Sequence, residues 1–296
     1  QYIPYHTNNM ANETIAKAKV ALCFIISYEH RLNQEALWKK WIEPNKDWIN
    51  VYVHYKHLHL IKSSWLRSCA IPPRYIATSS YLHVVPAYIS VLSFAMHHDS
   101  ENKWFCVLTD SCMPLITPDE FKSRFYQYGD KSIMRHNSAE WNVLYHSRAN
   151  LKYLPKSMHV MHDPWFTLTR THVQKIINFI LHKETRKIYK MVCAGGLANE
   201  SIFAIMLGLY NDSQSYNTKS ILKIDELTNP NNPNVLNTSA TISDWSRRDG
   251  PMSPHTFSAS DNPHLNRQII QKLKERNPLA MFLRKTSPDF RFQSTI

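Results

Sequence analysis

Phe105-Cys106-Val107-Leu108-Thr109-Asp110-Ser111-Cys112-Met113-Pro114-Leu115 is the stretch on which the reading of this chain turns. Its first half completes an apolar run from Lys103 (KWFCVL) with the length and composition of a buried strand. It then passes at once into a polar turn carrying a carboxylate. In open α/β sheets the C-terminal strand ends line the ligand crevice, which makes Asp110 a candidate for lining a binding site. The plainer alternative is a turn residue opening the loop before Pro114.

Working outward, strand-like and helix-like runs alternate. Val20 to Ser27 (VALCFIIS) reads as a buried strand, and Trp48 to Tyr55 (WINVYVHY) alternates with period two. Between them, Leu37, Trp38, Trp41 and Ile42 recur at helical spacing over Gln34 to Ile42. Val84 to Met96 is an apolar helix ended by His97-His98-Asp99-Ser100. Beyond the opening stretch, Thr117-Pro118-Asp119-Glu120 has the marks of a helix start. Arg170 to Leu181 and Glu200 to Tyr210 are further helices. Asn262-Pro263 caps a last one reaching about Arg276, and Leu279 to Leu283 closes with a strand. Segments 126–150 and 211–236 read as polar and irregular, the second, with Asn-Pro-Asn-Asn-Pro, as an exposed loop. The alternation predicts an α/β sandwich. With no repeat and no dividing linker, one domain is expected over 19–296, after an N-terminal extension 1–18.

The 296 residues, 43% of them hydrophobic, suffice for a full globular core. A net charge of +12 suits nucleic acid, an anionic membrane surface or phosphate-bearing substrates equally. The charge is spread without a dense Lys/Arg run, which counts against nucleic acid. Five Cys (23, 69, 106, 112, 193) lack C-x-x-C spacing, which excludes the usual structural zinc patterns; Cys23 and Cys106 read as buried thiols. No apolar run approaches the roughly 18 residues of a membrane span. Gln1 to Asn9 is polar and shows no secretory leader; it reads as a remnant or the cut edge of a longer protein, with Met10 as an alternative start.

Two cationic clusters dominate the last third, Trp245-Ser246-Arg247-Arg248 and Arg284-Lys285, each just after a short apolar run. Fixed cations at strand ends are well placed to hold phosphate groups. With 5 Gly in all and neither a P-loop nor a G-x-G-x-x-G, side chains would have to do what backbone nests do elsewhere. Glu200 follows Gly195-Gly196-Leu197-Ala198-Asn199 and precedes Ile202-Phe203-Ala204-Ile205-Met206-Leu207. A carboxylate there is either a helix-dipole partner or a positioned general base. Trp165 and Phe166 form an aromatic pair before a helix, one suited to the core and one to stacking on a sugar ring. His54, His57 and His59 have no neighbouring carboxylate or Cys to complete a metal set and read as solvated or stacking side chains.

Taken together, these segments resemble the core-2/I-branching glycosyltransferase family, in order, from roughly Lys19 to Phe290. Phe105 to Leu115 matches its "(F/V)-L-(S/T)-(D/E)-S-C-x-P-L" segment and Trp165-Phe166-Thr167-Leu168-Thr169-Arg170 its "W-F-x-x-x-R" segment. Val51-Tyr52-Val53-His54 resembles its opening, Asn199-Glu200 falls where it has Asp-Glu, and Asp244-Trp245-Ser246-Arg247 and Phe282-Leu283-Arg284-Lys285 match its C-terminal basic motifs. The resemblance implies a GT-A-like, Rossmann-like three-layer sandwich around a mostly parallel sheet. It implies an inverting transferase that uses a nucleotide sugar, such as UDP-N-acetylglucosamine, on a glycan or glycoprotein hydroxyl, with no metal or other cofactor. Glu200 would then be the base. Lys285 and Arg247, with Arg248 and Arg284 as alternates, would hold the diphosphate. Asp110, Trp165, Phe166 and His54 would line the cleft. Three departures stand out: Asp163-Pro164 where the branching enzymes have Gly-Ser, Lys56 where they carry Asp, and Asn199 beside the base. Family members are mostly anchored in the Golgi lumen; a trimmed domain would share that compartment and a soluble or viral relative would be cytoplasmic. Two other classes compete: a hydrolase using Asp110 and Glu200, and an inactive basic module binding glycan or nucleic acid.

Overall fold

The computed structural model of the protein describes residues 17–209 and 234–292. Most of the extension, the expected end of a helix at Tyr210 and nearly all of loop 211–236 lie outside the described residues. Three parallel strands form the heart of the molecule: β1 (Lys19–Ile25), β2 (Ile49–His54) on one side of it and β3 (Asn102–Thr109) on the other. Leu22 lies opposite Val51 and Cys106 at once. The chain leaves β1 in one direction and returns for β3 in the other. This reversal opens a crevice beyond the C-terminal ends of β1 and β3.

The sheet continues through β8 (Thr167–Thr169), antiparallel to β3, then β5 (Ser132–Ile133) and β9 (Val235–Leu236), giving six strands in the order β2-β1-β3-β8-β5-β9. Side chains alternate across it as a pleated strand requires. Val20, Leu22 and Phe24 enter one core; Ala21, Cys23 and Ile25 enter the other. On the first face pack α1 (Glu35–Ile42) and α4 (Pro118–Tyr128), near the short α2 (Ser64–Ser68). On the second pack α3 (Val85–His98), α5 (Arg170–Leu181), α6 (Lys183–Cys193) and α7 (Ile202–Leu207). The result is a helix–sheet–helix sandwich of the GT-A-like, Rossmann type.

A second sheet, β10 (Thr241–Ser243), β13 (Phe282–Arg284) and β4 (Met113–Pro114), sits beside the C-terminal end of β3, backed by α8 (Pro263–Arg276). Two two-stranded ribbons, β6 (His136–Ser138) with β7 (Val160–His162) and β11 (Arg248–Gly250) with β12 (Ser253–Pro254), complete the pairing. The indole N–H groups of Trp38 and Trp41 on α1 donate to the Cys112 and Ile116 carbonyls at 3.0 and 2.9 Å. Both rings are buried, so removing either would cost about 3–5 kcal/mol and release the turn that carries Asp110.

The helix starts at Thr117 and Asn262 are as expected. Thr117 Oγ1 accepts from the Glu120 amide at 3.1 Å, and Asn262 Oδ1 accepts from His264 and Leu265 at 2.9 and 3.1 Å. Two differences concern the second core. Lys183–Cys193 is a full helix absent from the expectation: its first turns are charged, Thr185, Ile188 and Val192 are buried, and Tyr189, Met191 and Cys193 pack against the core at its edge. Glu200 does not open a helix. It ends a short 3₁₀ turn, Ala198–Glu200, and α7 begins only at Ile202.

Candidate active site

Glu200 owes its surroundings to a glycine. A Cβ on Gly195 would lie 2.5 Å from both Asn150 N and Ser147 O, so only glycine lets the 147–150 turn close against it. The Ala149 amide donates to the Gly196 carbonyl at 2.9 Å, while Ala149, Asn150 and Leu197 hold left-handed backbones (φ 54°, 48° and 56°). Such non-glycine conformations are strained and cluster at functional sites. Here they bring Arg148 to Glu200: Nη2 lies 2.6 Å from Oε2, and the guanidinium rests over the Trp141 ring at 4.7 Å. Burial pushes the Glu200 carboxyl above its ordinary pKa; Arg148 and Arg284 oppose the shift and Asp163 adds to it. A carboxylate poised in this way is suited to accept a proton.

The expectation placed two basic clusters at neighbouring strand ends, and the small sheet does so. β10 runs parallel to β13, with Ser243 opposite Arg284. Arg284 turns into the site. Its Nε donates to Thr109 Oγ1 at 3.1 Å and its guanidinium stacks on the Trp165 ring at 3.7 Å. Burial lowers its pKa, against Cys112, Tyr88, Asp110 and Tyr81 close by. The Lys285 ammonium donates to Ser253 Oγ; burial and then Arg284 lower its pKa. Arg247 is otherwise employed. It donates through Nε to Asp244 Oδ2 at 2.7 Å and through Nη2 to Asn266 Oδ1 at 3.0 Å, over the Phe257 ring. Arg248 is exposed, lies over Trp245 at 5.7 Å and donates to the Trp245 carbonyl.

The remaining candidates divide. Asp110 stands at the crevice, and its carboxylate accepts the Ser27 amide at 2.8 Å, tying the ends of β1 and β3 together. Trp165 is part-exposed and lines a cleft of about 900 Å³ with Asp163, Trp245 and the β10 edge. Phe166 is no alternative platform: at 1% exposure it packs on Tyr88 and Phe203, because alternate residues entering β8 face opposite sides. His54 is neither solvated nor a cleft wall. It is fully buried and its Nε2 accepts the Ala77 amide at 3.2 Å; burial, then Lys56, lowers its pKa to about 4. The His57 ring lies between those of His30 and His59, at 5.6 and 5.9 Å and tilted to both rather than stacked. Among the described residues no group of three His, Cys, Asp or Glu could hold a metal ion.

A family model for the Core-2/I-Branching enzyme matches residues 22–273. The chain belongs to the core-2/I-branching enzyme family. These enzymes are glycosyltransferases, and membership implies a nucleotide-sugar donor and a glycan acceptor. No curated protein gives a significant match to the chain. No helix among the described residues is long and apolar enough to cross a membrane.

Two elements of this candidate site carry no motif in the sequence. Arg148 lies in the irregular stretch 126–150, where nothing in its spacing marks it; Trp141, the ring under its guanidinium, is the nearest signal. The other is the strap 77–83. Lys56 bonds to Ser79 and lies over Tyr28 at 5.1 Å, while the Leu82 carbonyl accepts the Leu197 amide at 2.8 Å. The lysine that departs from the family's pattern thus anchors a segment running from the β2 end to the Glu200 loop.

Proposed function

We propose that this protein is an inverting glycosyltransferase that moves a sugar from a UDP-sugar, such as UDP-N-acetylglucosamine, to a glycan or glycoprotein hydroxyl without a metal ion. The observation that carries the reading is the juxtaposition of Glu200, raised by burial and held by Arg148, with Arg284 stacked on Trp165 at the sheet's C-terminal edge. The nucleotide would occupy the crevice beyond β1 and β3, between Asp110 and Tyr28. As the acceptor oxygen attacks the anomeric carbon, Glu200 takes its proton. The bond from that carbon to the diphosphate oxygen breaks on the opposite face. Arg284 and Lys285 stabilise the charge that develops on the departing diphosphate, an effect worth about 3–4 kcal/mol per contact. Arg247, engaged by Asp244 and Asn266, supports the loop rather than the phosphates.

The hydrolase alternative loses ground because Asp110 is a tie between strands, bonded to Ser27, rather than a free partner for Glu200. The test is binding and slow hydrolysis of a nucleotide-sugar panel, with and without EDTA, in wild type and Lys285→Ala. One sugar nucleotide turned over despite EDTA, with a loss of about 10²-fold or more in the variant, is the expected result. Strict dependence on added metal would overturn the phosphate assignment. Release of sugar from a glycan without any nucleotide would return the weight to a hydrolase.

A further inference from the structure

The cleft of about 900 Å³, whose wall includes Asp163, an electrostatic neighbour of Glu200, has a composition of its own. Its aromatic walls are Trp165 and Trp245, the latter 47% exposed. Between them lie side chains that suit the hydroxyls of a saccharide, from Asn137 and Asn237 to the β10 residues Thr241 and Ser243. The hydroxyls of Thr241 and Ser243 are buried and without a hydrogen-bond partner, and Thr241 is only 3% exposed. Both oxygens lie beneath the cleft surface, so the polar groups a ligand would meet first are Asn137, Asn237 and the exposed cations.

The charges are the distinctive part. Arg135, at the end of β5, and Lys272 and Arg276, one turn apart on α8, all line the cleft and are exposed. None of the three has an ion-pair partner among the described residues. One carboxylate faces them from the cleft wall, Asp163, which accepts the Ser239 hydroxyl at 2.5 Å and whose pKa burial raises. Glu140 acts on Asp163 from outside the cleft, and Glu275 on α8 is taken by Gln271. Cations therefore outnumber carboxylates in a trough with two indole rings and two asparagine amides.

We infer that this cleft is an acceptor subsite selective for anionic glycans, in which a carboxylate- or sulfate-bearing sugar lies across Trp165 and Trp245 and is gripped by Arg135, Lys272 and Arg276. The inference rests on the transferase reading for its link to Glu200, since Asp163 and Trp165 belong to both places. The rings and amides favour a saccharide over a nucleic acid, whose binding is expected along a longer cationic track.

The test is retention on immobilised oligosaccharides at physiological salt, comparing a neutral backbone with its carboxylate-bearing and sulfated forms. A single-stranded oligonucleotide and an acidic peptide serve as comparators. The proteins are wild type, Glu200→Gln and the triple variant Arg135→Gln, Lys272→Gln, Arg276→Gln. The expected result is a preference of about tenfold for an anionic form in wild type and Glu200→Gln, lost in the triple variant; whichever form is favoured names the anion. Lys272→Gln alone should give a partial loss. Equal retention of neutral and anionic forms, a preference surviving in the triple variant, or stronger retention of the oligonucleotide or peptide would each overturn the inference. Nucleotide-sugar hydrolysis by the same wild-type protein separates the two readings. If hydrolysis is absent while the anionic preference holds, the cleft stands as an anionic-glycan site, and its assignment as an acceptor subsite falls with the transferase reading.

Discussion

Two of the arginine–carboxylate pairs among the described residues flank the candidate site at nearly the same distance, and their surroundings set them apart. Arg247 meets Asp244 at 2.7 Å; Arg148 meets Glu200 at 2.6 Å. Asp244 is fully buried, and burial alone would raise its pKa. Hydrogen bonds from Ser246 and Arg247 overcome that and hold the carboxyl below its ordinary range. Every demand of its charge is met, which makes it a clamp. Glu200 has the same penalty with less compensation. Burial outweighs Arg148 and Arg284, and the carboxyl stays above its ordinary range with 24% of its side chain exposed. An ion pair therefore says little about role until the remaining lone pairs are accounted for.

The comparison is sharpest in paired substitutions. Glu200→Gln should lower transfer about 10³-fold while leaving thermal unfolding near that of wild type; transfer retained at wild-type rates would remove the base. Asp244→Asn should do the reverse. It leaves Arg247 facing a neutral amide and should cost roughly 3 kcal/mol of stability by denaturant unfolding, with activity per folded molecule largely kept. A large loss of activity without a loss of stability would put Asp244 in the chemistry and break the contrast.

Arg148→Met should reduce transfer about tenfold and shift its pH profile. Glu200 must be ionised to accept a proton, so activity falls as pH drops through its raised pKa. Removing Arg148 removes an opposing cation and should move that acid limb to still higher pH. Arg247→Met should not move the limb, and a shift there would mean that both pairs address the same proton. The smallest effect is on stability in acid. His54 and His162 are buried, each with a pKa lowered to about 4, so the unfolded chain binds more protons between there and the ordinary value of 6.5. Stability should hold above pH 6.5 and fall as pH drops toward 4, less steeply in His54→Gln; an unchanged slope would show that His54 is not the group that titrates.

Much of the fold was legible because it is written in local patterns. The buried strands around Val20 and Phe105, the Thr117 and Asn262 caps and the apolar helix from Val84 follow from residue periodicity and hydrogen-bonding chemistry within a few positions. The helix Lys183–Cys193 was not: its apolar residues Ile188, Tyr189, Met191, Val192 and Cys193 crowd into the second half, behind a charged first turn that reads as the tail of the preceding helix. In the candidate site, Glu200, Arg284, Lys285 and Trp165 were legible from their motifs, and the structure brings Glu200, Arg284 and Trp165 together. Phe166 and His54 carried the right chemistry, but their facing is decided by strand register, and both turn inward.

Sequence alone determined the α/β sandwich class, its first strands and capped helices, and the family to which the chain belongs, because each depends on residue types at short, fixed spacings. Tertiary structure alone decided which of two like ion pairs is a clamp and which is poised. Arg148 reaches Glu200 only because Gly195 admits the 147–150 turn, and a contact between residues 52 positions apart leaves no trace in spacing. The balance of burial against hydrogen bonds at each carboxylate is likewise a property of the packed interior, where the number of donors that reach an oxygen decides its charge.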